Sequence, residues 1–502
     1  MITVETTTGT LGGVAKGGIT AFKGVPFTAP PVGPLRFRPP QPVTPWTGVR
    51  DAGAYGKWSP QPPPGRGQAL GGEEVGQSED CLTLNVWTPA TDDGKRPVMV
   101  WFHGGGFTGG SGGGTLYDGT ALAHRCDVVV VTVNYRLGVL GFAAHPDLAD
   151  GETGIRGNWG MLDQVAALEW VRDNIAGFGG DPGNVTIFGE SAGGMSVSTL
   201  LAMPAAKGLF HKAIAQSGGP LGVGLDAGAE ITELVAKELG LSSVAALRDV
   251  TAEDLVRVQA GISARHFIGA GLPFVPVIDG VAIPKSPLSA VRDGYSASIP
   301  LMAGTTTDES RLFAVGDRKA FELDHDGLLR RLERMIGADD AMAAAETYAK
   351  ALADRGEPAT PSDVWFAVQT DHIFRVPCTR MLEAQAAHQP DTYGYLFAWP
   401  SPALGGILGS CHALELGFLF GTAERVEGMA KFTGWGRDAE RLSARMQDAW
   451  TAFARTGNPA PGDLGDWPAY EPSRRATMVM DRTCRVDLAP MEAERAFWER
   501  GD

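Results

Sequence analysis

The sequence is short of most devices that would mark a nucleotide or metal enzyme. It has no Gly-x-x-x-x-Gly-Lys-[Ser/Thr] loop and no His-Glu-x-x-His, so P-loop and zinc-protease chemistry have no foothold. Its five cysteines (Cys81, Cys126, Cys378, Cys411 and Cys484) are scattered, with no Cys-x-x-Cys. That pattern suits reduced thiols in a cytoplasm better than a disulfide framework or a zinc site. No run of 18 apolar residues occurs, so no membrane-spanning helix is expected. The opening "MITVETTTGTLGGVAKGG" lacks a basic leader and an apolar stretch and does not read as a secretory signal. Basic clusters are missing too, and the net charge is −15. Nucleic acid and anionic membranes are therefore excluded as expected partners.

What is present in quantity is glycine, 68 in 502 residues. In such a chain chance supplies about half a match to Gly-x-Ser-x-Gly, and two occur, at Ser191 in "GESAG" and Ser111 in "GGSGG". The flanks separate them. Apolar runs at 97–102, 127–133, 184–188, 212–217, 299–306 and 392–399 read as buried strands, and "MLDQVAALEWVRDNI" (161–175) has helical spacing. Strand, helix and strand with glycine-marked joints is the pattern of a mostly parallel α/β sheet. Ser191 follows the strand "NVTIF" and opens the helical "AGGMSVSTLLAM". A serine at a sharp strand-to-helix turn is a nucleophile elbow. Gly189 and Gly193 then spare the turn a Cβ clash. Ser111 has only glycines around it and reads as a flexible loop residue.

A nucleophile needs an oxyanion hole, a base and an acid. "WFHGGGF" (101–107) ends a strand in three glycines, which makes the amides of Gly105 and Gly106, with that of Ala192, the expected donors. Of nine histidines, the base must lie well downstream of the serine. His211 is too near the elbow, and His266, His325, His372 and His388 lack a strand-end setting. His412, in "GILGSCHALELGFLFG" after the strand at 392–399, has one. For the acid, "LMAGTTTDES" offers Asp308 and Glu309, between which spacing does not choose.

These motifs, with "FKGVPFTAPPVGPLRFRPP", "SEDCLTLNVWTP", "VNYRLGVLGF", "GNWGMLDQ" and "AIAQSG", run almost end to end. The chain resembles the type-B carboxylesterases, the α/β-hydrolase group that includes bacterial para-nitrobenzyl esterases and the cholinesterases. The resemblance implies an α/β-hydrolase fold: a mostly parallel central sheet flanked by helices, in one domain over 1–502 with a helical insertion at about 310–390. It implies Ser191 as nucleophile, His412 as base and Glu309 rather than Asp308 as acid, with oxyanion donors Gly105, Gly106 and Ala192. It also places Glu190 facing the substrate and Ser217 beside the acid. The chain departs from the family at Ser310, where relatives carry glycine, and at Ser59, where secreted relatives carry a cysteine that would pair with Cys81. Between Ser59 and Cys81 there is no tryptophan, which argues against a choline-ester specialist.

The expected activity is hydrolysis of small to medium acyl or aryl esters through an acyl-enzyme, without metal or cofactor. A carbamate, amide or thioester hydrolase would use the same groups, and a non-catalytic binding protein on this fold is the reading from another class. The expected partner is a small-molecule ester. Acyl preference, stereoselectivity and oligomeric state leave no mark in the sequence.

Overall fold

The computed structural model describes residues 1–63, 75–266, 271–426, 428–460 and 464–500. Most of the polar loop at 60–77 thus lies outside the described residues. In chain order the strands are β1 (Ile2–Thr6), β2 (Gly9–Lys16), β3 (Ile19–Pro26), β4 (Val49–Asp51), β5 (Thr83–Thr88), β6 (Arg96–Phe102), β7 (Val129–Val133), β8 (Gly180–Glu190), β9 (Lys212–Gln216), β10 (Val223–Gly224), β11 (Val277–Ile278), β12 (Leu301–Thr306), β13 (Thr392–Phe397), β14 (Ala476–Met480) and β15 (Arg485–Leu488). The large sheet runs β1-β2-β3-β5-β7-β6-β8-β9-β12-β13-β14-β15, with β4 beside β2, while β10 and β11 pair apart from it. From β7 to β14 every neighbour is parallel. The strands on either side are antiparallel, apart from the short β4.

The central strands are mostly apolar because both faces of the sheet are covered. In β6, Val98, Val100 and Phe102 enter one core, while Met99 and Trp101 enter the other. This is the period-2 alternation of a pleated strand. The six strands read from the sequence are all present with shifted ends; β8 extends past "NVTIF" in both directions. The helix expected at 161–175 spans Trp159–Asn174. Between β12 and β13 the elements are all helical, including His325–Ile336, Ala338–Asp354, Pro361–Thr370 and Val376–Ala386, with a π-helical turn at Asp371–Arg375. That segment has an apolar cluster of its own around Tyr348, Trp365 and Phe366.

Register aligns the strand ends. Phe102 pairs with Gly189, Glu190 with Gln216, Gln216 with Gly304, and Thr306 with Phe397. The loops that leave these strands therefore emerge along one edge, where open α/β sheets keep their chemistry. All five cysteines are unpaired, with Cys81 and Ser59 both buried. Among the described residues no helix is long and apolar enough to cross a membrane.

Candidate active site

Ser191 sits at the apex between β8 and the helix Ala192–Leu200, with φ 56° and ψ −125°. A non-glycine residue held there is strained. The surroundings fix it: its amide donates to Gln216 O at 2.9 Å, and its carbonyl accepts from Met195 at 2.8 Å. The flanking glycines have the steric role expected of them. A Cβ on Gly189 would lie 2.5 Å from the Gly193 carbonyl, and one on Gly193 would lie 1.9 Å from Phe102 O.

The glycine loop passes directly beside this serine. A Cβ on Gly104 would come within 3.1 Å of Ser191 Cβ. Gly105 (φ 114°) and Gly106 (φ 60°) occupy left-handed backbone, and Gly105 O accepts from Thr108 and Gly109 at 3.1 and 3.0 Å. Among the described residues no protein acceptor takes the N–H of Gly105, Gly106 or Ala192. His103 anchors the start of the loop. Burial pushes its pKa down to about 4, an effect only partly offset by its hydrogen bond to Gly104. The neutral ring places Nδ1 2.8 Å from Gly104 O, where it donates, and stacks on Tyr135. Ser111 is not the flexible residue that its glycine neighbours suggested. It is buried, and its hydroxyl donates to Asn134 Oδ1 at 3.0 Å, because the loop doubles back against the end of β7.

His412 follows β13 and is 4 % exposed. Its Nδ1 stands 2.5 Å from Glu309 Oε2. The other oxygen of Glu309 accepts from Ser217 Oγ at 2.6 Å and from the Thr306 amide at 2.7 Å. Of the two carboxylates that spacing left open, Glu309 is the one that meets the imidazole, and Asp308 turns away. Its carboxylate accepts from the Ser410 amide and from Arg311, latching the loop that carries His412. Ser310 is buried, and its amide donates to Thr370 Oγ1.

Glu190 is 3 % exposed, with Oε1 2.9 Å from His412 Nε2 in a charge pair. No hydrogen bond joins the Ser191 hydroxyl to His412 among the described residues. The imidazole thus lies between two carboxylates. Burial alone would lower its pKa, but the charges of Glu190 and Glu309 outweigh that and hold it well above the usual histidine value.

Sequence reasoning missed three neighbours. Glu415 is fully buried, and desolvation together with repulsion from Glu190 and Glu309 pushes its pKa up to about 8. It accepts from Gln216 Nε2 at 3.3 Å. Phe313 and Phe374 pack on His412 with ring centroids 4.9 and 4.8 Å away. Glu415 lay three places beyond His412 in "CHALEL", a signal that was there to use. The two phenylalanines had none.

A strained serine between a strand and a helix, with acid and histidine on later strand ends of a doubly covered parallel sheet, defines an enzyme of the α/β-hydrolase fold. The model of the carboxylesterase family matches residues 1–498, and the chain belongs to that family. It is 39% identical to the para-nitrobenzyl esterase of Bacillus subtilis (strain 168), over 98% of this chain and 97% of that protein. It is 37% identical to a phenmedipham hydrolase of Pseudarthrobacter oxydans, over 95% and 94%. A crystal structure of a Geobacillus stearothermophilus carboxylesterase at pH 6.2 superposes with a TM-score of 0.88 at 39% identity, covering 99% of this chain and 100% of that one.

Proposed function

We propose that this carboxylesterase cleaves small to medium acyl or aryl esters with Ser191 as nucleophile, His412 as base and Glu309 as acid. Ser191 Oγ bonds to the ester carbonyl carbon as its proton passes to His412 Nε2. The oxyanion is held by the amides of Gly105, Gly106 and Ala192, each worth about 3 kcal/mol of transition-state stabilisation. Collapse breaks the carbon–alkoxy bond, and His412 protonates the leaving alcohol. Water then gives up a proton to the same nitrogen and bonds to the acyl carbon; collapse breaks the bond from that carbon to Ser191 Oγ, His412 returns the proton to Oγ, and the acid leaves. Glu309 keeps the ring oriented, and the charges of Glu309 and Glu190 favour the imidazolium that forms when Nε2 takes the serine proton. These steps call on no metal or cofactor.

The observation that carries this reading is the free set of amides on the glycine loop beside a strained serine at an elbow. The test is hydrolysis of para-nitrophenyl esters, acetate to laurate, by wild type and Ser191→Ala. The variant is expected to lose about 10⁴-fold or more in kcat; a variant that keeps its rate overturns the assignment. A second reading, carbamate hydrolysis at the same site, is favoured by the relative named phenmedipham hydrolase. Comparing an ester and a carbamate with one shared leaving group separates the two. Unpaired cysteines and the net charge of −15 support a cytoplasmic enzyme acting on small molecules rather than on nucleic acid or membrane.

A further inference from the structure

The stretch "HGGGFTGGSGGG" (103–114) has almost no side chains with which to hold its own shape, yet it carries the amides on which the proposed chemistry depends. Its order must come from outside, and one side chain supplies a two-point grip. Gln61, buried at 7 % exposure, donates from Nε2 to Gly110 O at 2.9 Å and accepts at Oε1 from the Gly110 amide at 2.8 Å. Its carboxamide thus pairs with a backbone residue as another peptide group would. Gly110 in turn lies hard against the start of the loop. A Cβ there would be 2.4 Å from both Gly104 O and His103 Nδ1. Asn134, just past the end of β7, grips the loop a second time. Asn134 Oδ1 accepts from Gly112 N and Ser111 Oγ, while its Nδ2 donates to Lys57 O.

We infer that Gln61 is a positioning residue for the oxyanion hole: by clamping Gly110 against Gly104 it sets where the amides of Gly105 and Gly106 point. This rests on the mechanism proposed above. Removing the clamp displaces donors whose value depends on sub-ångström placement. The loss should therefore appear in the transition state and not in ground-state binding.

The experiment compares wild type, Gln61→Ala, Gln61→Glu and Ser191→Ala. It records kcat and KM for para-nitrophenyl butyrate, the inhibition constant of a trifluoromethyl ketone and the thermal unfolding midpoint. In Gln61→Ala, kcat/KM is expected to fall about 10²-fold with KM changed less than about threefold, and ketone affinity should weaken in parallel. Gln61→Glu keeps the shape but loses the donor while ionised. Its rate relative to wild type should climb as pH falls and the carboxyl regains a proton to donate. Folded Gln61 variants with wild-type kcat overturn the inference and leave the mechanism standing. So does a loss confined to the unfolding midpoint, with ketone affinity unmoved. Activity surviving in Ser191→Ala overturns the mechanism and this inference with it.

Discussion

At the scale of the residue, the site is governed by charge. His412 is flanked by Glu309 on Nδ1 and Glu190 on Nε2, which favours its protonated form. A base must be neutral to take the serine proton, so the acid limb of kcat/KM should lie above the ordinary histidine value. In Glu190→Gln one of the two stabilising charges is gone, the imidazole pKa falls, and the limb should move to lower pH. A pH–rate profile with an unmoved limb would show that Glu190 does not act on the base. The sequence pointed to Ser191 and His412 through short local patterns, and to Glu309 over Asp308 only through the family resemblance. Phe313 and Phe374 stayed hidden for a physical reason. They reach His412 from places in the chain about 100 and 40 residues away, brought there by tertiary packing that no local pattern records.

At the scale of the element, the elbow is a packing problem solved by absent side chains. β8 and the helix after Ser191 close on each other between the ends of β6 and β9, with the backbone of Phe102 and His103 directly against Gly193. In Gly193→Ala the added carbon would meet the Phe102 carbonyl, which is fixed in the sheet. A loss of at least about 2 kcal/mol in urea unfolding, with a fall in kcat, is expected; an unchanged midpoint would refute the steric account. Elements differed in how far they could be read in advance. β6, β7, β8, β9, β12 and β13 are buried on both faces and spell continuous apolar runs. β1 to β4, antiparallel apart from the short β4, are partly exposed and mix apolar residues with threonine, glycine and charge, so their alternation is weak. β14 and β15 went unread as well; the latter is half exposed.

At the scale of the whole molecule, one buried carboxyl links the site to global stability. The Glu415 pKa is raised from 4.5 to about 8. Folding therefore favours its protonated form, whose contribution is full below the unfolded value and is lost as pH rises through about 8. The raised His412 adds in the same direction. Wild type should lose on the order of a few kcal/mol of stability across that window. Glu415→Gln, which cannot ionise, should show a flatter curve and a relative gain at the alkaline end. Denaturant unfolding across the window checks this, and parallel curves for the two proteins would rule it out.

The placement of the walls has a wider consequence. Ser191, the glycine-loop amides, Glu309 and His412 all follow strand ends, whereas Phe313 and Phe374 come from the helical excursion between β12 and β13. On the proposed mechanism, the reacting groups and the rings packed on the imidazole thus belong to different parts of the chain. Changes in that excursion would reshape the surface against the imidazole. The scaffold that performs the reaction need not change with it.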